Sequence, residues 1–142
     1  MMLREPILGQ QLSTRATCHD KDGKPVMTSM LLDTAAVMNL VSQHFTLLMG
    51  WEQLKNTPIP NLGGYDLDKS IYIYRAYQVV WKATDHWGQT QEHTTIFYRT
   101  GNKQPLLLGT PGLQQIGCQI DMKQQEWHFG IQPMDLKVIS AS

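Results

Sequence analysis

The sequence has no long apolar run and no excess of charge of one sign. No stretch approaches the roughly 18 consecutive apolar residues that indicate a membrane-spanning helix, so we expect no membrane association. Twelve basic residues balance twelve acidic ones, and this net charge of zero disfavours nucleic acid as a partner because that affinity depends on neutralising phosphates. The 142 residues contain no low-complexity linker. We therefore expect a single domain over residues 1–142, with its core at roughly 10–131.

Cysteine is scarce, and the features of an export signal are absent. The two cysteines, Cys18 and Cys118, form no C-x-x-C pair. The first residues carry Arg4 beside Glu5 and lack the apolar core of a signal peptide. We therefore expect an intracellular, cytoplasmic protein whose two thiols are free, since disulfides persist mainly in exported proteins.

The motifs of several enzyme classes are also missing. The five histidines show neither H-x-x-x-H nor H-E-x-x-H spacing, so we expect no metal site. The sequence has no G-x-S-x-G elbow and no glycine-rich phosphate loop, and we expect no cofactor. A cysteine–histidine nucleophile built from Cys18, His19 and Cys118 has no local motif, but the sequence leaves it open.

Alternation of apolar and polar residues with period two dominates the chain and predicts a mostly β protein. Turn sequences rich in Asp and Gly separate the runs at residues 20–24 and 85–88. Helical spacing is confined to residues 37–49 and to one turn at 111–116, for which Thr110 is the expected N-cap. The predicted strands are 11–19, 26–32, 70–84, 89–99, 105–108, 120–122 and 127–131.

Asp33 is the most informative residue of the sequence. It lies between the apolar residues 30–32 and 35–37, where a carboxylate is costly unless it is hydrogen-bonded or paired. One interpretation is a helix N-cap, which Asp favours and which the helical spacing after it suits. The other is a catalytic carboxylate held by a rigid turn, with Thr34 helping to fix it.

The residues around Asp33 resemble a known protease signature. Residues 30–36, MLLDTAA, resemble the apolar-apolar-Asp-Thr/Ser-Gly-Ala motif of retropepsins, the aspartic proteases of retroviruses and LTR retrotransposons. Residues 106–109, LLLG, resemble the second motif of this family, an apolar pair before glycine that supports the active-site loop. The intervening residues 72–74 and 80–88 are similar to Ty3/gypsy-type elements, particularly fungal ones. The resemblance covers roughly residues 10–130.

The resemblance implies an all-β fold, a mostly antiparallel closed β-barrel with one or two short helices that acts as a homodimer. In this family each subunit supplies one aspartate, and a flap covers the cleft. Residues 3–11 and 135–139 would then be candidates for the dimer sheet. By the same resemblance the catalytic residues are Asp33 and Thr34, and the substrate-binding residues are Ala35, Ala36, Gly63, Gly64, Tyr65, Leu108 and Gly109.

The implied activity is that of an aspartic endopeptidase, in which paired Asp33 carboxylates activate water to hydrolyse a peptide. Ala35 stands where the family usually has glycine, and its side chain would crowd a substrate and resist a positive φ. Two alternatives therefore stay open. One is a repurposed retropepsin-fold enzyme that uses Asp33 for acid–base chemistry on a small molecule, such as a secondary metabolite. The other is a non-catalytic dimerisation or peptide-binding module. The expected partners are a second copy of the chain and a peptide or small-molecule substrate.

Overall fold

The computed structural model describes residues 11–55 and 75–130, which form strands and two short helices. The elements are β1 (Gln11–His19), β2 (Pro25–Asp33), β3 (Leu40–Ser42), α1 (Gln43–Met49), β4 (Ala76–Thr84), β5 (Thr90–Thr100), β6 (Leu106–Leu108), α2 (Thr110–Gln115), β7 (Gln119–Asp121) and β8 (Glu126–His128). Six strands close into a barrel in the order β1-β2-β6-β3-β5-β4, and β7 pairs with β8 in a separate sheet. Most pairs are antiparallel, whereas β2–β6 and β3–β5 are parallel. The predicted all-β barrel with short helices is confirmed.

Two long hairpins build most of the barrel, and the local sequence explains both. β1 and β2 pair along their whole length, and in their turn Asp20 Oδ1 accepts the N–H of Asp22 at 2.9 Å while Gly23 takes a φ of 82°. β4 and β5 are joined at Asp85, whose Oδ1 accepts the N–H of Gln89 at 2.8 Å. Both predicted turns are confirmed, because these carboxylates satisfy the turn backbone within a few residues.

The interior of the barrel is filled by large side chains. β4 alternates buried and exposed residues along most of its length, as the period of two predicts. Trp81 is fully buried, and its indole N–H donates to Thr95 Oγ1 at 2.9 Å, which satisfies the one polar group of the ring. Leu32, near the end of β2, and Leu108, at the end of β6, are buried in the same core. The core therefore fixes the positions from which the next segments of the chain begin. The largest fully buried side chains are Trp81, Trp127, Phe97, Phe129, Met30 and Leu32.

The segment 37–49, predicted as one helix, is helical only in its second half. Residues Leu40–Ser42 form β3, which pairs with β5 and β6, and α1 begins only at Gln43. Ser42 is the N-cap of α1, and its Oγ accepts the N–H of Phe45 at 2.9 Å. The prediction is wrong for residues 40–42, because pairing with strands far along the chain overrides the local helical spacing.

Smaller differences concern where other elements begin and end. α2 begins at Thr110 with Gly109 as its N-cap, so the predicted Thr110 N-cap is wrong, and Pro111 lies in the first turn, where its missing N–H costs nothing. β8 ends at His128. Residues 70–74 of one predicted strand lie outside the described ranges. Within those ranges, we find no helix with the length and apolar character needed to cross a bilayer.

Candidate active site

Asp33 ends β2 with its carboxylate buried and hydrogen-bonded. The residue is 8% exposed. Its Oδ1 accepts the N–H of Ala35 at 2.9 Å, and its Oδ2 accepts a hydrogen bond from Gln11 Nε2 at 3.1 Å. Gln11 lies directly opposite Asp33 in the β1–β2 register. The N-cap interpretation is wrong, since the residues after Asp33 form a turn and α1 begins at residue 43.

The Asp33 loop, residues 33–39, is clamped onto the segment that follows β6. The Oδ1 atom of Asn39 accepts the N–H groups of Gly109 and Gly112, both at 3.0 Å. Thr110 donates twice to Ala36 O, from its N–H at 2.8 Å and from its hydroxyl at 2.9 Å. β2 and β6 run parallel, so the residues that follow them emerge at the same end of the sheet. The two sequence motifs therefore meet in space.

Gly109 shows why the second motif ends in glycine. A Cβ atom built on Gly109 would lie 2.2 Å from Met38 O and 2.7 Å from Ala36 O. Both contacts are with backbone of the Asp33 loop, so a side chain could not be accommodated by rotating a neighbour. Leu108 and Gly109 are both buried, in a supporting position against this loop. Their contact with a substrate stays a prediction.

Asn39 is the residue that sequence reasoning missed. It is 6% exposed, and its Nδ2 donates to Ile96 O at 3.2 Å. One amide side chain thus joins the Asp33 loop, the start of α2 and β5. The available signal was an amide within the otherwise apolar run 35–41, where a buried polar group needs partners.

Ala35 does not meet the backbone conflict that the sequence suggested. Among the described non-glycine residues, Gln125 alone has a positive φ. Ala35 therefore adopts a backbone conformation that alanine tolerates without strain. Its side chain is exposed, beside the buried carboxylate whose oxygen accepts its N–H.

Thr34 lines a cavity that adjoins the Asp33 loop. The cavity has a volume of about 450 Å³ and is also lined by Thr110, Leu113, Cys118 and Ile120. The Thr110 hydroxyl, which donates to Ala36 O at 2.9 Å, also lies 3.4 Å from Thr34 O. The cavity therefore adjoins the residue that the resemblance places next to the catalytic aspartate.

The two cysteines are poor candidates for a nucleophile. Burial raises the pKa of Cys18 to about 12. Burial, and secondly the negative charge of Asp85, raise the pKa of Cys118 to about 12. A thiol must lose its proton to attack, so the raised pKa values disfavour both groups as nucleophiles near neutral pH. The open alternative of a cysteine–histidine nucleophile is thus disfavoured.

Several predicted residues lie outside the part of the chain that the structure describes. These are Gly63, Gly64 and Tyr65 of the predicted flap, and residues 3–10 and 135–139 of the predicted dimer sheet. Between 11 and 55 and between 75 and 130, no cluster of three or more His, Cys, Asp and Glu side chains is arranged to hold a metal ion.

Comparison with known proteins bears on the fold. No family model matches this chain, and no curated protein sequence matches it. A solved structure that does match is the retroviral protease-like domain of Ddi1 from Leishmania major. Its TM-score is 0.52 at 12% sequence identity, and the match covers 82% of this chain and 88% of that one. At 12% identity this similarity shows the fold alone. Together with the closed six-stranded barrel, it establishes that this chain has a retropepsin-like fold.

Proposed function

We propose that this protein is an aspartic endopeptidase that acts as a homodimer, with one Asp33 from each chain. The observation that carries the proposal is the buried Asp33 carboxylate, held on a loop that is clamped by the segment after β6. A rigid loop suits catalysis, because a reacting group must be held close to its productive position. The resemblance of residues 30–36 to the retropepsin motif supports the same role, and we infer from it an origin in a Ty3/gypsy-type retrotransposon.

The proposed mechanism follows from the chemistry of two carboxylates in contact. Two such groups cannot both ionise at hydrogen-bond distance, so they share one proton. The ionised group takes a proton from a bound water, which attacks the scissile carbonyl, while the protonated group polarises that carbonyl. In the single chain, Asp33 Oδ2 bonds to the side chain of Gln11, an exposed residue. The partner carboxylate or the water would replace this amide in the dimer.

A small-molecule acid–base enzyme is the second candidate, and Ala35 favours it. The exposed methyl group of Ala35 stands beside Asp33, where the retropepsin motif leaves space for a peptide backbone. Ala35→Gly separates the two candidates. Cleavage of peptides by the variant at a rate above that of the wild type would support the endopeptidase. An unchanged or lower rate, with no inhibition of the wild type by a statine-type mimic of the tetrahedral intermediate, would favour the second candidate.

The decisive variant for the proposal is Asp33→Asn. The asparagine Oδ1 can still accept the N–H of Ala35, so the barrel should stay folded while turnover is lost. Asp20→Asn is the matched control, since Asp20 Oδ1 also accepts turn N–H groups, from Asp22 at 2.9 Å and Lys24 at 2.8 Å, at the end of the β1–β2 hairpin opposite the Gln11–Asp33 pair. Digestion of a peptide library, read by mass spectrometry, measures turnover. Cleavage retained in Asp33→Asn, or a monomer in sedimentation at micromolar concentration, would contradict the shared-site proposal.

A further inference from the structure

A second surface feature lies on the seam where the barrel closes. β1 and β4 are joined by one ladder pair within the described chain, Thr17 opposite Lys82. A groove of about 460 Å³ opens along this seam and extends past Ser13 on β1 and His86 beyond β4. Arg15 lies four residues along β1 from Gln11, the partner of Asp33, which corresponds to about 13 Å of strand. Ser13, the groove residue nearest to Gln11 along β1, lies two residues or about 7 Å from it, so the end of the groove approaches the candidate active site while its two cations lie farther away.

The lining of this groove includes two cations and several hydrogen-bonding groups beside the apolar Met27, Ala83 and Trp127. Arg15 and Lys82 are exposed, and within the described residues neither forms an ion pair with a carboxylate. The exposed Glu92 lies opposite Lys82 in the β4–β5 register, on the side of β4 away from Arg15 and β1. His86 Nδ1 accepts the N–H of Trp127 at 3.0 Å and also lies 3.4 Å from Trp127 O, so this nitrogen is engaged with backbone and Nε2 is the one left for a ligand. Hydroxyl groups also line the groove, those of Ser13, Thr14, Thr17, Thr84 and Thr90, of which the last two bond to each other at 2.7 Å.

The one carboxylate in the lining cannot serve a ligand as an acceptor. Asp85 is 5% exposed. Its Oδ1 accepts the N–H groups of Trp87 at 3.0 Å and Gln89 at 2.8 Å, and its Oδ2 accepts that of Phe129 at 3.0 Å. The groove therefore offers two cations and several donors to a ligand, while the oxygens of the buried Asp85 carboxylate are directed at backbone N–H groups.

We propose that this groove binds an extended acidic peptide with carboxylates two residues apart. Arg15 is the diagonal neighbour of Lys82 across the Thr17–Lys82 pair, which separates such positions by about 7–8 Å. Side chains two apart on an extended chain face the same way and are separated by about 7 Å. Exposed Met27 at the groove also gives an apolar contact that suits a peptide better than a free anion. Two cations are few for a nucleic acid, whose affinity depends on many phosphate contacts.

Binding of two matched peptides tests the proposal. The fluorescein-labelled peptide TVETEVT carries glutamates on one face, and TVEETVT has the same composition with the glutamates on opposite faces. Fluorescence anisotropy is measured with the 142-residue chain, and with its Asp33→Asn variant so that cleavage cannot deplete the peptide. We expect saturable binding of TVETEVT, several-fold tighter than that of TVEETVT and weaker in high salt.

Exposed side chains supply the matched variants. The double change Arg15→Gln with Lys82→Gln should weaken binding of TVETEVT roughly three- to tenfold and abolish the preference between the peptides. Lys103→Gln, an exposed lysine in the turn after β5, should change neither value. Equal affinity for the two peptides, unchanged binding by the double variant, or tighter binding of inorganic phosphate or a single-stranded oligonucleotide would overturn the proposal. Peptide binding is also measured in the Asp33→Asn variant, which has lost the proposed catalytic carboxylate. The binding result therefore does not depend on whether the protein proves to be an endopeptidase.

Discussion

Replacing Asn39 with alanine should lower the free energy of unfolding far more than replacing an exposed asparagine with alanine. Asn39 Oδ1 accepts the N–H groups of Gly109 and Gly112, and all three residues are buried. Water reaches such donors poorly, so the alanine variant leaves both without an acceptor. Its third bond, from Nδ2 to Ile96 O, matters less because Ile96 is 42% exposed.

The size of the effect follows from the two buried donors. Leaving a buried donor unsatisfied costs about 1–3 kcal/mol, so the two N–H groups together amount to about 2–6 kcal/mol. A domain of this kind has a free energy of unfolding of about 5–15 kcal/mol. Asn39→Ala should therefore lose a large share of the total stability. Asn102→Ala is the control, since Asn102 Oδ1 accepts one N–H, from Gln104 at 3.0 Å, at an exposed position. Its loss should stay within about 0.5 kcal/mol, as for surface changes in general.

Urea unfolding followed by tryptophan fluorescence measures both variants. Each curve is recorded at two protein concentrations, because a dimer would make the apparent stability depend on concentration. An m-value equal to that of the wild type is needed to interpret a shifted midpoint as a change in stability. A loss below about 1 kcal/mol for Asn39→Ala, or one equal to that of Asn102→Ala, would refute the role of Asn39 as the clamp of the Asp33 loop.

Two further predictions concern packing and pH. Gly109→Ala should lower the free energy of unfolding by about 1–3 kcal/mol or more in the same assay, because the new Cβ would meet backbone atoms. Gly101→Ala is the control and should lower it by under about 0.5 kcal/mol, because no atom lies within 4 Å of its Cβ. Equal losses for the two variants would contradict the packing argument. Since the pKa values of Cys18 and Cys118 are raised to about 12, iodoacetamide at pH 8.5 should alkylate both slowly in the native protein and rapidly in urea. Rapid alkylation of either thiol in the native protein would show that its proton is not retained. The thiols of the unfolded chain ionise near pH 9, so the stability that these two groups contribute below that pH should decline as the pH rises from 9 to 12.

The hairpins and the special character of Asp33 could be predicted from sequence because the causes are local. Apolar alternation sets which face of β4 and β5 is buried, and the Asp20 and Asp85 turns satisfy their own backbone within four residues. Asp33 stood out because a carboxylate inside an apolar run requires partners. One of the hydrogen-bond partners of its carboxylate, the N–H of Ala35, lies only two residues away.

The division of residues 37–49 could not be predicted, because it depends on distant strands. Leu40 pairs with Leu107 and Tyr98, which lie far along the chain, and their ladders override a helical apolar pattern. The same separation hid Asn39, whose three side-chain partners all lie near residues 96–112. A single sequence shows that a polar residue needs partners but not where the fold places them.

Local pattern was therefore sufficient for the strands, the turns and the identity of the key carboxylate. Only the parallel β2–β6 pairing decided that Asp33 and Gly109 emerge side by side, because strands that run parallel release their next residues at one end of the sheet. Only the closed barrel decided that Arg15 and Lys82 share one seam, and only the structure showed that the backbone conformation at Ala35 needs no glycine. These are consequences of backbone positions that many distant contacts set together, and no short stretch of this sequence contains them.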